Sequence, residues 1–483
     1  MPKRLYIATV GCQMNVLDSE LVAASLLEAG YELVTSPRRA DAILFNTCSV
    51  RQHAEDKIYS ALGRLKHLKD QRPGTIIGVL GCMAQKDREK IFKRAPHVDL
   101  VVGPGQLGQL PLLLERVAAG AGPQIEVSLD RKAGTRLAVE SSFVRFDRPR
   151  NVVARPAPHQ AMVRIMLGCD KFCTYCIVPS VRGPEQCRPP DEIEAEVRGL
   201  ADQGCLEVTL IGQTVNSYQS RAGGSTLHLA DLLERLSTIE PVRRLRFVAN
   251  HPRSMTPELL QAVRDLPKVC PYLHIPAQSG SNRVLRRMKR GYSVEEYREM
   301  LARIRETIPH AAVTSDFIVG FCGETEDDFQ ETVALVRDGR FKNSFIFKYS
   351  PRPCTKAAEL YPDDVHDEVK RRRNNELLAL QDAISEDENR TFLGRTVELL
   401  VEGPSKTSRK HAEKGGMATS SWPCSSHAHE DVGMAPVQLT GRTTCDRIVV
   451  FDGPRELIGQ IVPVEIVQTG AFTLFGKEVG SRQ

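Results

Sequence analysis

Short apolar runs and amphipathic stretches alternate through the first 120 residues. "LYIATV", "DAILFNT", "TIIGVLG" and "VDLVVG" read as buried strands, and "DSELVAASLLEAG" and "EDKIYSALGRLKHL" between them carry helical spacing. Strands alternating with helices predict a βαβ series, hence an open parallel sheet over residues 1–120. Residues 121–158 turn rich in Gly, Pro and Arg ("DRPRNVVARPAP"), as a linker between domains would.

A second alternation fills residues 159–388, with strands expected at "AMVRIML", "EVTLIGQ", "RLRFVAN", "YLHIPAQ", "TSDFIVG" and "SFIFKYS". Helical segments such as "DEIEAEVRGLADQG" and "SVEEYREMLARIRETI" separate them. Six βα units fall short of the eight of a closed barrel and predict a partial, open one. After the charged helix "DDVHDEVKRRRNNELLALQDAISEDENR" the pattern becomes "TVELLVEG", "RIVVFDG", "LIGQIVPVEIVQTG" and "TLFGKEV", a small all-β barrel over 389–483. Residues 404–438 interrupt it as a polar, exposed loop. Its His411, Cys424, His427 and His429 match no usual zinc spacing.

Composition alters this picture little. The chain has 483 residues, enough for three domains, and its 41% hydrophobic and 26% charged residues are those of an ordered globular protein. No apolar run of about 18 residues occurs, and the N-terminus makes a poor signal peptide, so no membrane contact and a cytoplasmic location are expected. A net charge of +5 does not demand a polyanionic partner. "RVLRRMKR" (283–290) and "KRRR" (370–373) allow one, against the plainer reading of solvated helix faces.

Cysteine changes the picture more. Thirteen cysteines, an odd count in a reducing compartment, fit metal binding better than a disulfide framework. "GCDKFCTYC" spaces Cys169, Cys173 and Cys176 as C-x3-C-x2-C. They could be small residues on one helix face, but Gly168 and Pro179 leave little room for a helix. Three clustered thiolates suit an iron–sulfur cluster with one iron open to an outside ligand better than they suit four-coordinate structural zinc. Cys12, Cys48 and Cys82 each end an apolar strand, and in an open parallel sheet such ends share one edge, so cysteines remote in sequence converge there. Three buried structural cysteines are the alternative.

The C-x3-C-x2-C after a barrel strand resembles the signature of the radical S-adenosylmethionine enzymes. With "TVGCQMNVLDSE", "NTCSVRQHAEDKIYSALGRLK", "VLGCMAQ", "LGCDKFCTYCIVPSVRGPE", "IPAQSGSNRVLRRMKRGY", "HPRSMT" and "SDFIVGF", the chain is similar to the methylthiotransferases, in particular those that modify isopentenyladenosine in tRNA. The C-terminal β-module resembles the TRAM RNA-binding domain. The resemblance covers nearly everything except 404–438.

It implies two [4Fe–4S] clusters: an auxiliary one on Cys12, Cys48 and Cys82, and a radical one on Cys169, Cys173 and Cys176, whose open iron chelates S-adenosylmethionine. Candidate S-adenosylmethionine contacts are Gly212, Gln213 and Asn216, Gln278 and Ser279, and Gly320 and Glu324. The implied reaction uses one S-adenosylmethionine to methylate a sulfur at the auxiliary cluster. A second yields the radical that leads to a C–S bond at C2 of N6-isopentenyladenosine beside the anticodon. The expected partners are the tRNA anticodon stem-loop, a reducing electron donor and a sulfur source, with the enzyme a monomer.

Cys187, Cys322 and Cys354 depart from the family pattern and are expected to be packing changes rather than ligands. "GPGQLG" (103–108) matches G-x-G-x-x-G but follows the fourth strand and lacks the acidic residue of a dinucleotide site, so a helix-capping turn is expected. Two other readings stay open: a sister methylthiotransferase acting on threonylcarbamoyladenosine or on a ribosomal-protein aspartate, and a non-catalytic iron–sulfur RNA-binding protein.

Overall fold

A computed structural model describes residues 2–49, 52–128, 150–222, 225–409 and 437–480. His411, Cys424, His427, His429, most of the expected loop and part of the linker lie outside them.

Six strands form the first sheet: β1 (Lys3–Val10), β2 (Tyr31–Leu33), β3 (Ala42–Thr47), β4 (Ile76–Gly81), β5 (Leu100–Val102) and β6 (Gln124–Glu126). All pair in parallel, in the order β2-β1-β3-β4-β5-β6. β3 and β4 are buried at every position because alternate residues feed two cores. Leu44 and Leu80 pack with Leu17 and Leu21 of helix α1 (Gln13–Glu28), while Ile43, Phe45, Ile77 and Val79 pack with Ile58 and Leu62. The four expected strands are present. β2 and β6 are additional, each three residues long and too short to show a period. "GPGQLG" forms a 3-10 turn, Pro104–Gln109, leading into the helix Leu110–Ala118, as expected.

All six barrel strands are observed, as two three-stranded parallel sheets. One holds β7 (Gln160–Arg164), β10 (Glu207–Ile211) and β13 (Arg244–Phe247); the other holds β14 (Tyr272–His274), β15 (Ala312–Val319) and β16 (Asn343–Lys348). A parallel bridge between Leu245 and Val269 joins them. A short pair, β8 (Met166–Leu167) and β9 (Gln186–Cys187), brackets the cysteine loop, and a hairpin, β11 (Gln219–Ala222) and β12 (Ser225–His228), extends from the loop after β10.

Outward positions such as Val208, Phe247, Leu273 and Phe317 share one core with the helices. Met162, Ile211 and Val248, on the inward face, join the core that contains α1 instead. The first domain therefore closes the open side of the half-barrel.

The C-terminal barrel is closed, β17-β18-β19-β21-β20, which leaves no sheet edge. Its strands are β17 (Thr396–Pro404), β18 (Val437–Thr443), β19 (Ile448–Gly453), β20 (Ile461–Thr469) and β21 (Thr473–Glu478). Its β18–β19 turn docks where the half-barrel strands begin. Arg246 donates to the carbonyls of Thr443 (2.7 Å) and Thr444 (3.0 Å), and Arg244 to those of Arg442 (2.7 Å) and Glu398 (3.0 Å). No helix among the described residues is long and apolar enough to cross a membrane.

The basic runs are only partly solvated faces. Arg290, Lys370 and Arg373 are buried, the last two in ion pairs with Asp363 and Glu324, so these three are structural rather than free to meet a polyanion.

Candidate cluster sites

Pairing Val10 with Thr47 and Thr47 with Gly81 brings the ends of β1, β3 and β4 level. Cys48 and Cys82 follow β3 and β4 directly, and Cys12 stands two residues beyond β1, at the start of α1. The sheet thus gathers three remote cysteines at one edge. A buried amide network holds that edge: Asn15 donates to Asn46 (3.0 Å), which donates back to the carbonyl of Asn15 (2.9 Å) and to Ser19 (3.0 Å). Gly81, at φ +86°, has no room for a side chain, since a Cβ would stand 2.3 Å from Asn46 Oδ1.

A hydrogen bond with Cys48 pulls the Cys12 thiol down to about 6, and Arg182 acts in the same direction. Burial raises the Cys82 thiol, against the pull of Arg182. An acidic thiol beside two buried sulfurs and one cation is a donor set suited to a positively charged, thiophilic group.

Cys169, Cys173 and Cys176 lie in the loop between β8 and β9. Gly168 permits its entry: at φ +65° it passes so close to Pro184 that a Cβ would meet the carbonyl oxygen at 1.9 Å. Arg290 donates to Cys173 Sγ at 3.3 Å and to the carbonyl of Pro276 at 3.2 Å, tying the loop to the end of β14. Burial and the neighbouring Cys173 push the Cys176 thiol up to about 12. Thiols that resist ionising together need added positive charge, which iron would supply, so the residues fit a cluster. Among the described residues, no three or more Cys, His, Asp or Glu surround a point as the ligands of a single metal ion do. Cysteines on a four-iron cluster each bind a different iron and need not do so.

The two triads are joined. Cys82 packs with Ile177 and Val181, and Ile177 directly follows Cys176. The same short helix, Val178–Arg182, ends in Arg182, which donates to Asp18 of α1 at 2.6 Å.

The candidate S-adenosylmethionine residues lie at barrel strand ends, with different surroundings. Gly212 approaches Met166 so closely that a Cβ would be 2.3 Å from Met166 Cγ. Gln213 has a buried Oε1 with no hydrogen-bond partner among the described residues. Asn216 donates to the carbonyl of His251 and accepts from its N–H, both at 2.8 Å. It also lines a cleft of about 490 Å³ with Lys171, Glu185 and Arg253.

Gln278, at φ +71°, bridges to β15 through its backbone. Ser279 is buried and accepts from the N–H of Ser281 at 3.2 Å. Glu324 accepts from the N–H of Gly320 and from Arg373, both at 2.8 Å, and burial raises its carboxyl to about 7. Asn216, Ser279 and Glu324 thus make their contacts within the protein.

Sequence reasoning missed His251, Arg182 and Arg290. His251 is buried just past β13, edge-to-face with Tyr292 at 5.6 Å, and its Nδ1 has no hydrogen-bond partner among the described residues. Burial first, then Arg290, Lys171 and Arg253, lower its imidazole to about 3. Its place at a barrel strand end was the available signal. Of the departures, Cys322 is fully buried in an apolar cluster, Cys187 accepts from the N–H of Gln219 at 3.4 Å, and Cys354 is exposed.

Three family models match the chain: Uncharacterized protein family UPF0004 over 4–103, the Radical SAM superfamily over 163–336 and the TRAM domain over 430–479. A tRNA-2-methylthio-N(6)-dimethylallyladenosine synthase of Rhodopirellula baltica is 55% identical, covering 99% of this chain and 96% of the relative. Those of Delftia acidovorans (44%; 99% and 99%) and Moorella thermoacetica (42%; 99% and 98%) are similar over the same extent. A solved radical S-adenosylmethionine methyltransferase from Kitasatospora setae shares the fold at TM-score 0.52 and 12% identity, over 74% of this chain and 75% of its own.

Proposed function

Because the chain belongs to the tRNA-2-methylthio-N(6)-dimethylallyladenosine synthase family, we propose that its two cysteine triads divide one reaction between a sheet edge and a barrel mouth. The enzyme is a radical S-adenosylmethionine methylthiotransferase that places a methylthio group on dimethylallyladenosine in tRNA, with [4Fe–4S] clusters as cofactors. When bound, these groups supply the radical and the sulfur chemistry that side-chain acids and bases lack.

Cys169, Cys173 and Cys176 hold the radical cluster and Cys12, Cys48 and Cys82 the auxiliary one. Arg290 fixes Cys173 against β14. Asn216 fixes His251, whose free Nδ1 and the Gln213 Oε1 are the polar atoms offered to S-adenosylmethionine at the strand ends. Gly212 and Gly320 contribute close backbone approach and Gln278 a turned backbone at φ +71°, while Ser279 and Glu324 brace the ends of β14 and β15. A single-stranded anticodon-loop adenosine can be splayed out to enter the barrel mouth, the C-terminal barrel holding the stem. An external reductant and sulfur source complete the reaction, and the enzyme acts as a monomer.

The observation that carries this reading is the helix Val178–Arg182, which begins beside Cys176 and packs on Cys82. Sulfur transfer by a radical requires both sites to reach one nucleotide. The test is mass spectrometry of nucleosides after reconstituted enzyme acts on dimethylallylated tRNA. The expected product is the C2-methylthio nucleoside, and its absence overturns the proposal.

A further inference from the structure

The inward faces of the half-barrel differ between its two sheets. Met162, Ile211 and Val248 are covered by the first domain. On the other sheet, Asp316 and Ile318 of β15 stand in register with Phe345 and Phe347 of β16. Their outward neighbours Phe317 and Ile346 belong to the helix-covered core, so these four face inward.

Phe345 is 51% exposed, and its ring stacks on Phe347 with planes 15° apart. Asp316 stands opposite Phe345 across the strand pair, and Asn250 is held to the carbonyl of His274 on β14, at the other side of β15. Asp316 Oδ1 and Asn250 Oδ1 are buried with no hydrogen-bond partner among the described residues, although Asp316 Oδ2 lies 3.6 Å from His274 and Asn250 is otherwise only 3% exposed. A buried, unpaired acceptor is costly unless a ligand satisfies it.

β16, which carries the pair, leads toward both triads. The loop after β16 brings Arg352 within electrostatic reach of Glu55 and, more weakly, of Cys48. Ile318 and Tyr175 of the radical loop pack on one apolar cluster.

The geometry points to Phe345 and Phe347 as the surface that receives the base and N6-dimethylallyl group of the substrate adenosine, with Asp316 and Asn250 accepting from its N6–H and ribose hydroxyls. This deepens the proposed function and rests on it. The dimethylallyl substituent is an uncharged, apolar five-carbon group that leaves one N–H on N6, matching an aromatic surface beside acceptors. A threonylcarbamoyl substituent ends in a carboxylate, which Asp316 repels. Stacking on aromatic side chains is also how proteins hold unpaired RNA bases.

The test uses full-length, cluster-loaded protein and stem-loop RNAs that differ only in the target residue: dimethylallyladenosine, adenosine or threonylcarbamoyladenosine. Affinities are compared by fluorescence anisotropy for wild type, Phe345→Ala and Asp316→Asn, with S-adenosylmethionine binding followed by equilibrium dialysis. Phe345→Ala should weaken the dimethylallyl RNA about tenfold and the adenosine RNA, which loses only the base stacking, by clearly less, so that the preference between them narrows. Asp316→Asn, nearly isosteric, should narrow discrimination against the threonylcarbamoyl RNA about tenfold. A Phe345→Ala protein that keeps its preference for dimethylallyl RNA, or that loses S-adenosylmethionine affinity instead, overturns the assignment. Absence of 2-methylthio product from wild type overturns the proposed reaction; product from wild type together with unchanged preferences in both variants overturns the pocket alone.

Discussion

Asp18 accepts from Arg182 at 2.6 Å and from Arg164 at 2.9 Å, and all three side chains are buried. One carboxylate from the sheet domain thereby holds two guanidiniums of the barrel domain. Asp18→Ala leaves both cations buried without that partner, which costs about 3–5 kcal/mol. Urea denaturation should show the loss, and hydrogen exchange should rise in the helix Val178–Arg182.

Removing a ligand from each triad should separate their roles. Cys48→Ala is expected to bind about half the iron, keep S-adenosylmethionine cleavage and lose methylthiolation. Cys173→Ala should lose both activities. Iron analysis, deoxyadenosine release and nucleoside mass spectrometry read the three quantities, and full product formation by Cys48→Ala contradicts the assignment.

Gly81→Ala tests the sheet edge without touching a ligand. Its positive φ and the 2.3 Å approach to Asn46 Oδ1 together predict a destabilisation of about 2 kcal/mol or more. Because Cys82 follows directly, iron bound at the first triad should fall while the C-x3-C-x2-C site keeps its own. Thermal melting and iron content check this.

Glu324 gives a pH dependence of defined sign. Burial raises its carboxyl from 4.5 to about 7. Between these values the folded protein keeps a proton that the unfolded chain has released. The contribution is complete below pH 4.5 and is lost as pH rises through about 7, at most about 3 kcal/mol. Glu324→Gln should flatten the difference, measured as stability against pH by chemical denaturation.

The gathering of Cys12, Cys48 and Cys82 at one edge was legible because strand ends are legible: "LYIATVGC", "DAILFNTC" and "TIIGVLGC" each announce a strand and its exit, and a parallel sheet aligns such exits. The supporting cations were not. Arg182 meets Asp18 across 164 residues and Arg290 meets Cys173 across 117, separations that no local period encodes. β2 and β6, at three residues each, are set by pairing with neighbours rather than by an alternation of their own. Lys370 and Arg373 read as a solvated basic face because charge pattern does not reveal that Asp363 and Glu324 await them inside. The inward aromatic pair needed the register of β15 and β16, which follows only from the assembled sheet.

The closed C-terminal barrel is anchored to the starts of the half-barrel strands, whereas the cysteine loop lies at their ends. Strands of five to eight residues separate the two by roughly 20 Å. A substrate engaged at both places must be long and folded enough to bridge that gap. If the C-terminal barrel holds the RNA stem as proposed, the protein body would work as a measuring gauge, selecting an adenosine by its distance from a helical segment as well as by its chemistry.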